Sequence, residues 1–352
     1  MKVLITGASG YIGQAVAKVL VDSGHRVSGL ARSVSSAAKL RAVNVTPISG
    51  DFNDHVSLTE AIAAAAPDAL ISTASVGTIG GDANTFAKDR DAVGAMLKAL
   101  GKSGRILIFT SGSAVAGVFN GGLRSDVIYD EDATMPLAAS AFAPPGSGVH
   151  PMLIDGFGRA MAARIETEKA VLAADGVNGI VVRPGLVYGY GGSYDIPALI
   201  TMARSRGYAP YLGAGHTSQS YVHLDELADL FRLAVEKAPR QAVLHGVVDE
   251  VSQRELAIAV SGLIGDRVES VTMNDMLGLN AAERIAFFLT KGIPANYLRS
   301  LQRPAPPSLA AGISLSLNKR LSSAKTQQQL GWSPNRRDIL ADLVTGSYAR
   351  PV

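Results

Sequence analysis

The chain is 352 residues long, 47% hydrophobic and 18% charged, enough to bury one large core or two interlocked ones. Its 33 basic and 30 acidic residues are scattered rather than clustered, so the net charge of +3 gives no nucleic-acid footprint. The absence of cysteine excludes disulfides, thiol catalysis and cysteine-ligated metal centres, and the six histidines show no paired ligand spacing, so no metal is expected.

Residues 3–6 read as a short apolar strand that runs into Gly7, Gly10 and Gly13, and the pattern predicts a helix over 12–22. Gly7 lets the chain turn sharply out of the strand, Gly10 leaves room for a pyrophosphate against the backbone, and Gly13 lets the helix pack closely on the sheet. The helix start then offers unpaired N–H groups and the positive end of its dipole to the phosphates. Ile12, Val16, Val19 and Leu20 form one buried stripe, and Gly24 follows the helix end. Strand, turn and helix in this order predict a nicotinamide dinucleotide site.

Further strands are predicted at 26–30, 45–48, 69–72, 106–110, 179–183 and 243–248, with helices at 57–65, 84–101, 157–174 and 225–237. This alternation predicts an α/β fold, a Rossmann-type doubly wound parallel sheet. Its ligands bind at the carboxyl ends of the strands, so residues 73–76, 110–113 and 184–188 should ring one crevice. From 187 the pattern loosens. We expect a dinucleotide-binding domain over 1–186, with 222–250 returning to it, and a smaller C-terminal substrate lobe over most of 187–352. The long stretches 114–156 and 302–316, rich in glycine and proline, read as lids or mobile segments. No apolar run is long enough for a bilayer, and the first strand leaves no room for a signal core, so a cytoplasmic protein with no membrane partner is expected by default.

Five motifs occur in order: Thr6-Gly7-Ala8-Ser9-Gly10-Tyr11-Ile12-Gly13, Gly50-Asp51-Phe52, Arg183-Pro184-Gly185-Leu186-Val187-Tyr188-Gly189, Tyr221-Val222-His223-Leu224-Asp225, and Leu330-Gly331-Trp332-Ser333-Pro334. On these the chain resembles the short-chain dehydrogenase/reductase superfamily, in its extended or atypical branch of epimerase- and dehydratase-like enzymes. The resemblance implies that the loop of Gly7, Ser9, Gly10, Tyr11, Ile12 and Gly13 holds the cofactor, with Asp51 at the adenine edge and Phe52 beside the ring. It also implies that Thr73, Ala74 and Ser75 lie under the cofactor's centre and that Pro184, Leu186 and Val187 line the nicotinamide. A plain turn aspartate at 51 and a plain strand end at Pro184 stay open. His223 and Asp225 read as caps of the next helix. A homodimer through helices 84–101 and 157–174 is implied by the family alone.

Arg32 bears on the choice of cofactor. An acidic residue after the second strand would hold both ribose hydroxyls and repel a 2′-phosphate, whereas arginine pairs with that phosphate. The strand ends Leu30-Ala31-Arg32, with Ala31 where an NAD-preferring relative carries Asp, so NADP(H) is favoured over NAD(H); a solvated surface arginine is the competing reading.

The family's proton donor is missing. A tyrosine followed by lysine four residues later occurs nowhere in the chain. Counting back from Arg183 puts Phe157 and Met161 at the two positions, and counting back from Glu168 puts Ala160 and Arg164 there. Gly112 aligns with the catalytic hydroxyl, flanked by Ser111 and Ser113. Arg164 can hold the ribose as a permanent cation but cannot act as an acid near neutral pH. Tyr188 is the leading substitute acid, against a packed turn tyrosine; His150 in the long loop is a second, and Tyr129 reads as a surface anchor.

We therefore expect an NADP(H)-dependent oxidoreductase that transfers hydride to or from a small organic carbonyl, enone or imine. Fixed geometry carries much of such a reaction, and a lost general acid costs about 10²–10⁴ in rate. A sugar-nucleotide epimerase or dehydratase, and a non-catalytic NADP-binding sensor, are the alternatives.

Overall fold

A computed structural model of the chain describes residues 1–76, 83–136, 151–277, 307–336 and 338–349. In chain order the described strands are β1 (Lys2–Thr6), β2 (Arg26–Ala31), β3 (Thr46–Ser49), β4 (Ala69–Ser72), β5 (Ile106–Thr110), β6 (Val118–Phe119), β7 (Asn178–Pro184), β8 (Leu186–Tyr188), β9 (Ala209–Leu212), β10 (Ser218–His223), β11 (Val243–Gly246), β12 (Asp249–Ser252), β13 (Val268–Val271) and β14 (Leu317–Asn318). Strands apolar on both faces belong in the middle of a layered fold. β4 is buried at every position, β1 at all but Lys2, and both lie inside a seven-stranded sheet ordered β11-β7-β5-β4-β1-β2-β3. Every neighbouring pair is parallel, with Val3 beside both Val27 and Ala69 and with Val243 beside Val181.

Helices cover both faces. One apolar core packs α1 (Tyr11–Asp22) against the sheet through Val16, Ala17 and Leu20; the opposite core takes Leu58 and Ile62 of α3 (His55–Ala65) and Val93 and Met96 of α4 (Ala83–Leu100). The helix α2 (Val34–Arg41) escaped the sequence reading because its apolar stripe is weak. Its start is fixed instead by a capping box between Ser33 and Ser36. Next comes α5 (Pro151–Leu172), which packs along α4.

Beyond β7 a single residue leads into β8, which pairs parallel with β10 while β12 adds to β10 antiparallel. This small sheet and α6 (Ile196–Arg206) enclose a second core that includes Ile196, Leu199, Tyr221 and Leu256. The chain then crosses back through α7 (Leu224–Lys237) to place β11 at the edge of the main sheet.

Two of the presumed loops are corrected. Residues 151–156 open α5, and Pro307–Leu315 is a helix, a run of Leu, Ala and Ile that proline begins well because its missing N–H is not needed in the first turn. Residues 137–150, with His150, and 302–306 lie outside the described residues. Among the described residues no helix is long and apolar enough to cross a membrane.

Candidate active site

Two glycines of the first turn, Gly7 and Gly13, leave no space for a side chain. Gly7 has φ +74°, a conformation that L side chains rarely adopt, and a Cβ there would lie 2.7 Å from the Ala74 nitrogen. At Gly13 a Cβ would lie 2.7 Å from the Gly7 carbonyl carbon, so α1 can pack on the turn only with glycine. Gly10 differs: it lines the cleft, and a Cβ there meets only the Gly7 oxygen, at 3.2 Å, among the described residues. Gly10 N–H donates to the Gly7 carbonyl at 2.9 Å and caps α1 without a side-chain hydrogen bond, and no acidic residue stands in the first turn of the helix. A bare helix start above an open glycine fits a diphosphate.

The cleft beside it has a volume of about 330 Å³ and runs across the carboxyl ends of β1 to β4. Gly7, Ser9, Gly10, Arg32, Asp51, Phe52, Thr73, Ala74 and Ser75 all line it, so most of the residues assigned to the cofactor converge on one surface. Arg32 is exposed there, beside Ser36, and its guanidinium forms no hydrogen bond or ion pair among the described residues. One Asp51 oxygen accepts from Asn53 N–H at 2.9 Å, so this side chain holds its turn while also lining the cleft. Thr73 donates its hydroxyl to the Thr6 carbonyl at 2.7 Å, which fixes the end of β4 to β1.

At the end of β5 the registers separate. Arg183 of β7 grips Glu168 of α5 through Nε at 3.1 Å and NH2 at 2.6 Å, both side chains buried. This fork fixes α5 against the sheet. One helical turn earlier, toward the crevice, Arg164 donates NH2 to the carbonyls of Thr110 and Ser111, each at 2.9 Å. Arg164 therefore occupies the position opposite the end of β5, with Ala160 one turn before it. Met161 is fully buried and Phe157 packs edge-on against Phe119 at 5.5 Å, so the other register points into the core.

The guanidinium of Arg164 also stacks over the rings of Phe86 (5.3 Å) and Phe109 (5.5 Å), and its NH1 lies 3.7 Å from Asp89. Burial pulls its pKa down, and Asp89 and Glu168 oppose that pull. Asp89 is itself buried, accepting from Val76 N–H at 2.8 Å and from the Ser75 hydroxyl. Arg164 is thus held in place by two strand carbonyls on NH2, while its Nε and NH1 hydrogens make no hydrogen bond among the described residues. Sequence reasoning missed Asp89, which stands in the charged run Lys88-Asp89-Arg90-Asp91 and looks solvated.

Other assignments fall elsewhere. The hydroxyl of Tyr11 donates to the carbonyls of Gly189 (2.8 Å) and Gly192 (3.1 Å), tying the glycine turn to the second lobe, and burial raises its pKa. The Tyr188 ring is 1% exposed in the second-lobe core, 5.2 Å from the His223 ring, and burial raises its pKa too. It is a packing residue, and its selection as substitute acid is corrected. Ile12 and Val187 pack against the main core, Leu186 belongs to the second core, and Pro184 ends β7. His223 caps α7 by accepting from Asp225 N–H at 3.2 Å. Ser113 is buried in a 3-10 turn, while Ser111 Oγ is buried without a hydrogen-bond partner among the described residues.

The model of the NAD dependent epimerase/dehydratase family matches residues 3–245. The chain belongs to this family. This epimerase/dehydratase-family protein is 29% identical to an uncharacterized protein of Schizosaccharomyces pombe, a match over 99% of this chain and 100% of the relative. It is 28% identical to a 2-alkyl-3-oxoalkanoate reductase of Stenotrophomonas maltophilia, over 72% of this chain and 71% of the other. Its fold matches that of a dTDP-glucose 4,6-dehydratase of Bacillus anthracis crystallised with NAD, at a TM-score of 0.65 and 14% identity, covering 99% of this chain and 95% of that one. The extended branch of the short-chain dehydrogenases/reductases, with its nicotinamide dinucleotide site, is therefore the frame for the cleft. Ala160 and Arg164 stand four residues apart on α5, and no tyrosine in the chain is followed by a lysine at that spacing.

Proposed function

We propose that this family member is an NADP(H)-dependent oxidoreductase acting on a carbonyl, enone or imine carbon of a small organic substrate, without a tyrosine–lysine pair. The observation that carries the reading is an intact dinucleotide cradle combined with Arg164, and no tyrosine–lysine pair, opposite the end of β5. Hydride transfer tolerates the loss of a general acid at about 10²–10⁴ in rate, whereas epimerisation and dehydration of a sugar lean on that acid throughout. The named reductase among the relatives supports the same choice.

When bound, a reduced nicotinamide supplies the hydride. The chain's part is to bind and orient. The backbone of Gly7 to Gly13 and the start of α1 hold the diphosphate, Asp51 and Phe52 meet the adenine, and Arg32 with Ser36 faces the 2′-phosphate. An arginine in the cleft wall with no hydrogen bond or ion pair among the described residues supports NADP(H) over NAD(H).

Loss of NADPH fluorescence across a panel of enones, imines, aldehydes and ketones tests the reading. Turnover on at least one class is expected; tight NADPH binding with no turnover on any would instead favour the sensor. Arg32→Ala should weaken NADPH binding by about tenfold or more, the worth of a charge-assisted hydrogen bond, and leave NADH nearly unchanged.

A further inference from the structure

Resting on that reading, we propose that Arg164 and the Ser111 hydroxyl form an oxyanion site at the end of β5, so that a fixed cation and a hydroxyl stabilise the reacting oxygen without a phenol. Three observations converge. The first is that Arg164 is held rather than mobile: two strand carbonyls fix NH2, the guanidinium lies over the rings of Phe86 and Phe109, and Asp89 stands at 3.7 Å. Its Nε and NH1 hydrogens make no hydrogen bond among the described residues, so donors remain for a ligand.

The second observation is a pair of orphaned hydroxyls. Ser111 is 5% exposed, and its Oγ has no hydrogen-bond partner among the described residues; Thr110 Oγ1 is buried in the same condition. A buried hydroxyl without a partner costs about 1–3 kcal/mol, which points to a ligand atom as its use. Both hydroxyls belong to the residues whose carbonyls hold Arg164.

The third is space. Gly112 follows Ser111 with extended backbone, φ 175°, and a Cβ added there meets nothing within 4 Å. The position that aligns with the family's hydroxyl is therefore not crowded by any described residue. The link to the cofactor cleft runs through Asp89, which binds Ser75 of the cleft wall on one side and faces Arg164 on the other. Asp89 is thus a positioning residue.

In the reductive direction, the carbonyl carbon gains a hydride, the C=O π pair moves onto oxygen, and the dinucleotide is oxidised by the same two electrons. The negative oxygen lies against the guanidinium and the Ser111 hydroxyl, then takes its proton from water. A prearranged donor aimed at developing charge does this without titrating. The charged groups around Arg164 are Asp89 of α4 and Glu168 of α5, the latter already paired with Arg183 of β7.

The test uses butyrate, a small carboxylate that mimics the oxyanion, titrated into the protein with and without NADP⁺. Wild type should bind it, and Arg164→Gln should bind it about tenfold or more weakly. Because Arg164→Gln strips a buried carboxylate of its partner and can fail to fold, Ser111→Ala serves beside it: no described residue bonds that oxygen, so its denaturation midpoint should stay put while butyrate affinity falls severalfold. Arg164→Lys should recover part of the binding, and Asp89→Asn should lower the affinity less than Arg164→Gln does. Wild type that ignores butyrate, or Ser111→Ala and Arg164→Gln that bind it as wild type does, overturns the proposal. Because binding is read without turnover, failure of the redox reading appears separately as an unreactive substrate panel.

Discussion

The hydroxyl of Tyr11 donates to the carbonyl of Gly189 at 2.8 Å, joining the first residue of α1 to a loop of the second lobe 178 positions away. On the other side of that loop Tyr348 meets Gly189 N–H at 2.9 Å and donates to Gly192. The loop is held between the dinucleotide turn and the end of the chain. Tyr11→Phe should therefore cost about 1 kcal/mol of stability, the net worth of one hydrogen bond, and weaken NADPH binding about fivefold because the helix start loses its tether. Urea denaturation and a fluorescence titration measure the two effects. A lowered midpoint with unchanged NADPH affinity would show that the tether serves the fold alone.

Gly10 and Gly13 make opposite predictions for the same substitution. At Gly10, on the cleft wall, an added methyl meets only the Gly7 oxygen at 3.2 Å among the described residues, so Gly10→Ala should destabilise much less than Gly13→Ala and lose NADPH affinity by about tenfold or more, a matter of excluded contact with phosphate. At Gly13 the methyl would run into the backbone of Gly7 and Ala8, so Gly13→Ala should destabilise by about 1–3 kcal/mol as an overpacked site does. Thermal melts beside NADPH titrations separate the pair. Equal loss of stability in both variants would contradict the uncrowded position given to Gly10.

The buried fork between Arg183 and Glu168 carries the register of α5. Removing one member leaves an unpaired buried charge, so Arg183→Met should cost about 3–5 kcal/mol. Glu168→Gln keeps the shape but drops the charge, and should cost less. Urea denaturation of the two variants gives the order, and a stability loss under 1 kcal/mol for Arg183→Met would remove the fork from its anchoring role.

The parts of this protein that could be read in sequence are those fixed by neighbours in the chain. The glycine turn, the strands of the main sheet and the α1 stripe follow from local spacing, as does the His223 cap of the next helix. Arg164 was harder, because two registers of α5 were equally open until Glu168 found Arg183 across the helix–strand interface. Asp89 lay hidden in a run of charges, and only its burial between Ser75 and Arg164 distinguishes it from Asp91, which remains exposed. Tyr188 illustrates the converse error. Its motif predicts a place beside the nicotinamide, but β8 pairs with β10, which turns the ring into the second core.

Deeper in the second lobe, Lys319 donates Nζ to the Ser314 hydroxyl at 2.6 Å, and that hydroxyl donates to Asp195 at 2.7 Å, all three residues fully buried. The second carboxylate oxygen has no hydrogen-bond partner among the described residues. Burial raises the Asp195 pKa from 3.8 to about 6 and lowers that of Lys319 from 10.5 to about 8. Between these values both groups are charged and both are strained by desolvation. As the pH falls through 6, folded Asp195 takes up a proton that the unfolded chain does not bind until near 3.8, so this group's contribution to stability grows toward acid and is lost as the pH rises. As the pH rises through 8, folded Lys319 releases a proton that the unfolded chain keeps to 10.5, so its contribution grows toward base and is lost as the pH falls. Against an Asp195→Asn/Lys319→Met double variant, wild type should therefore compare worst between pH 6 and 8 and gain on either side. The double variant should match or exceed wild type at neutral pH, while Lys319→Met alone should lose about 3–5 kcal/mol by stranding the carboxylate. Urea denaturation at about pH 5, 7 and 9.5 measures the curve. A stability difference that stays flat across those values, or a harmless Lys319→Met, would mean that the two charges do not meet through Ser314.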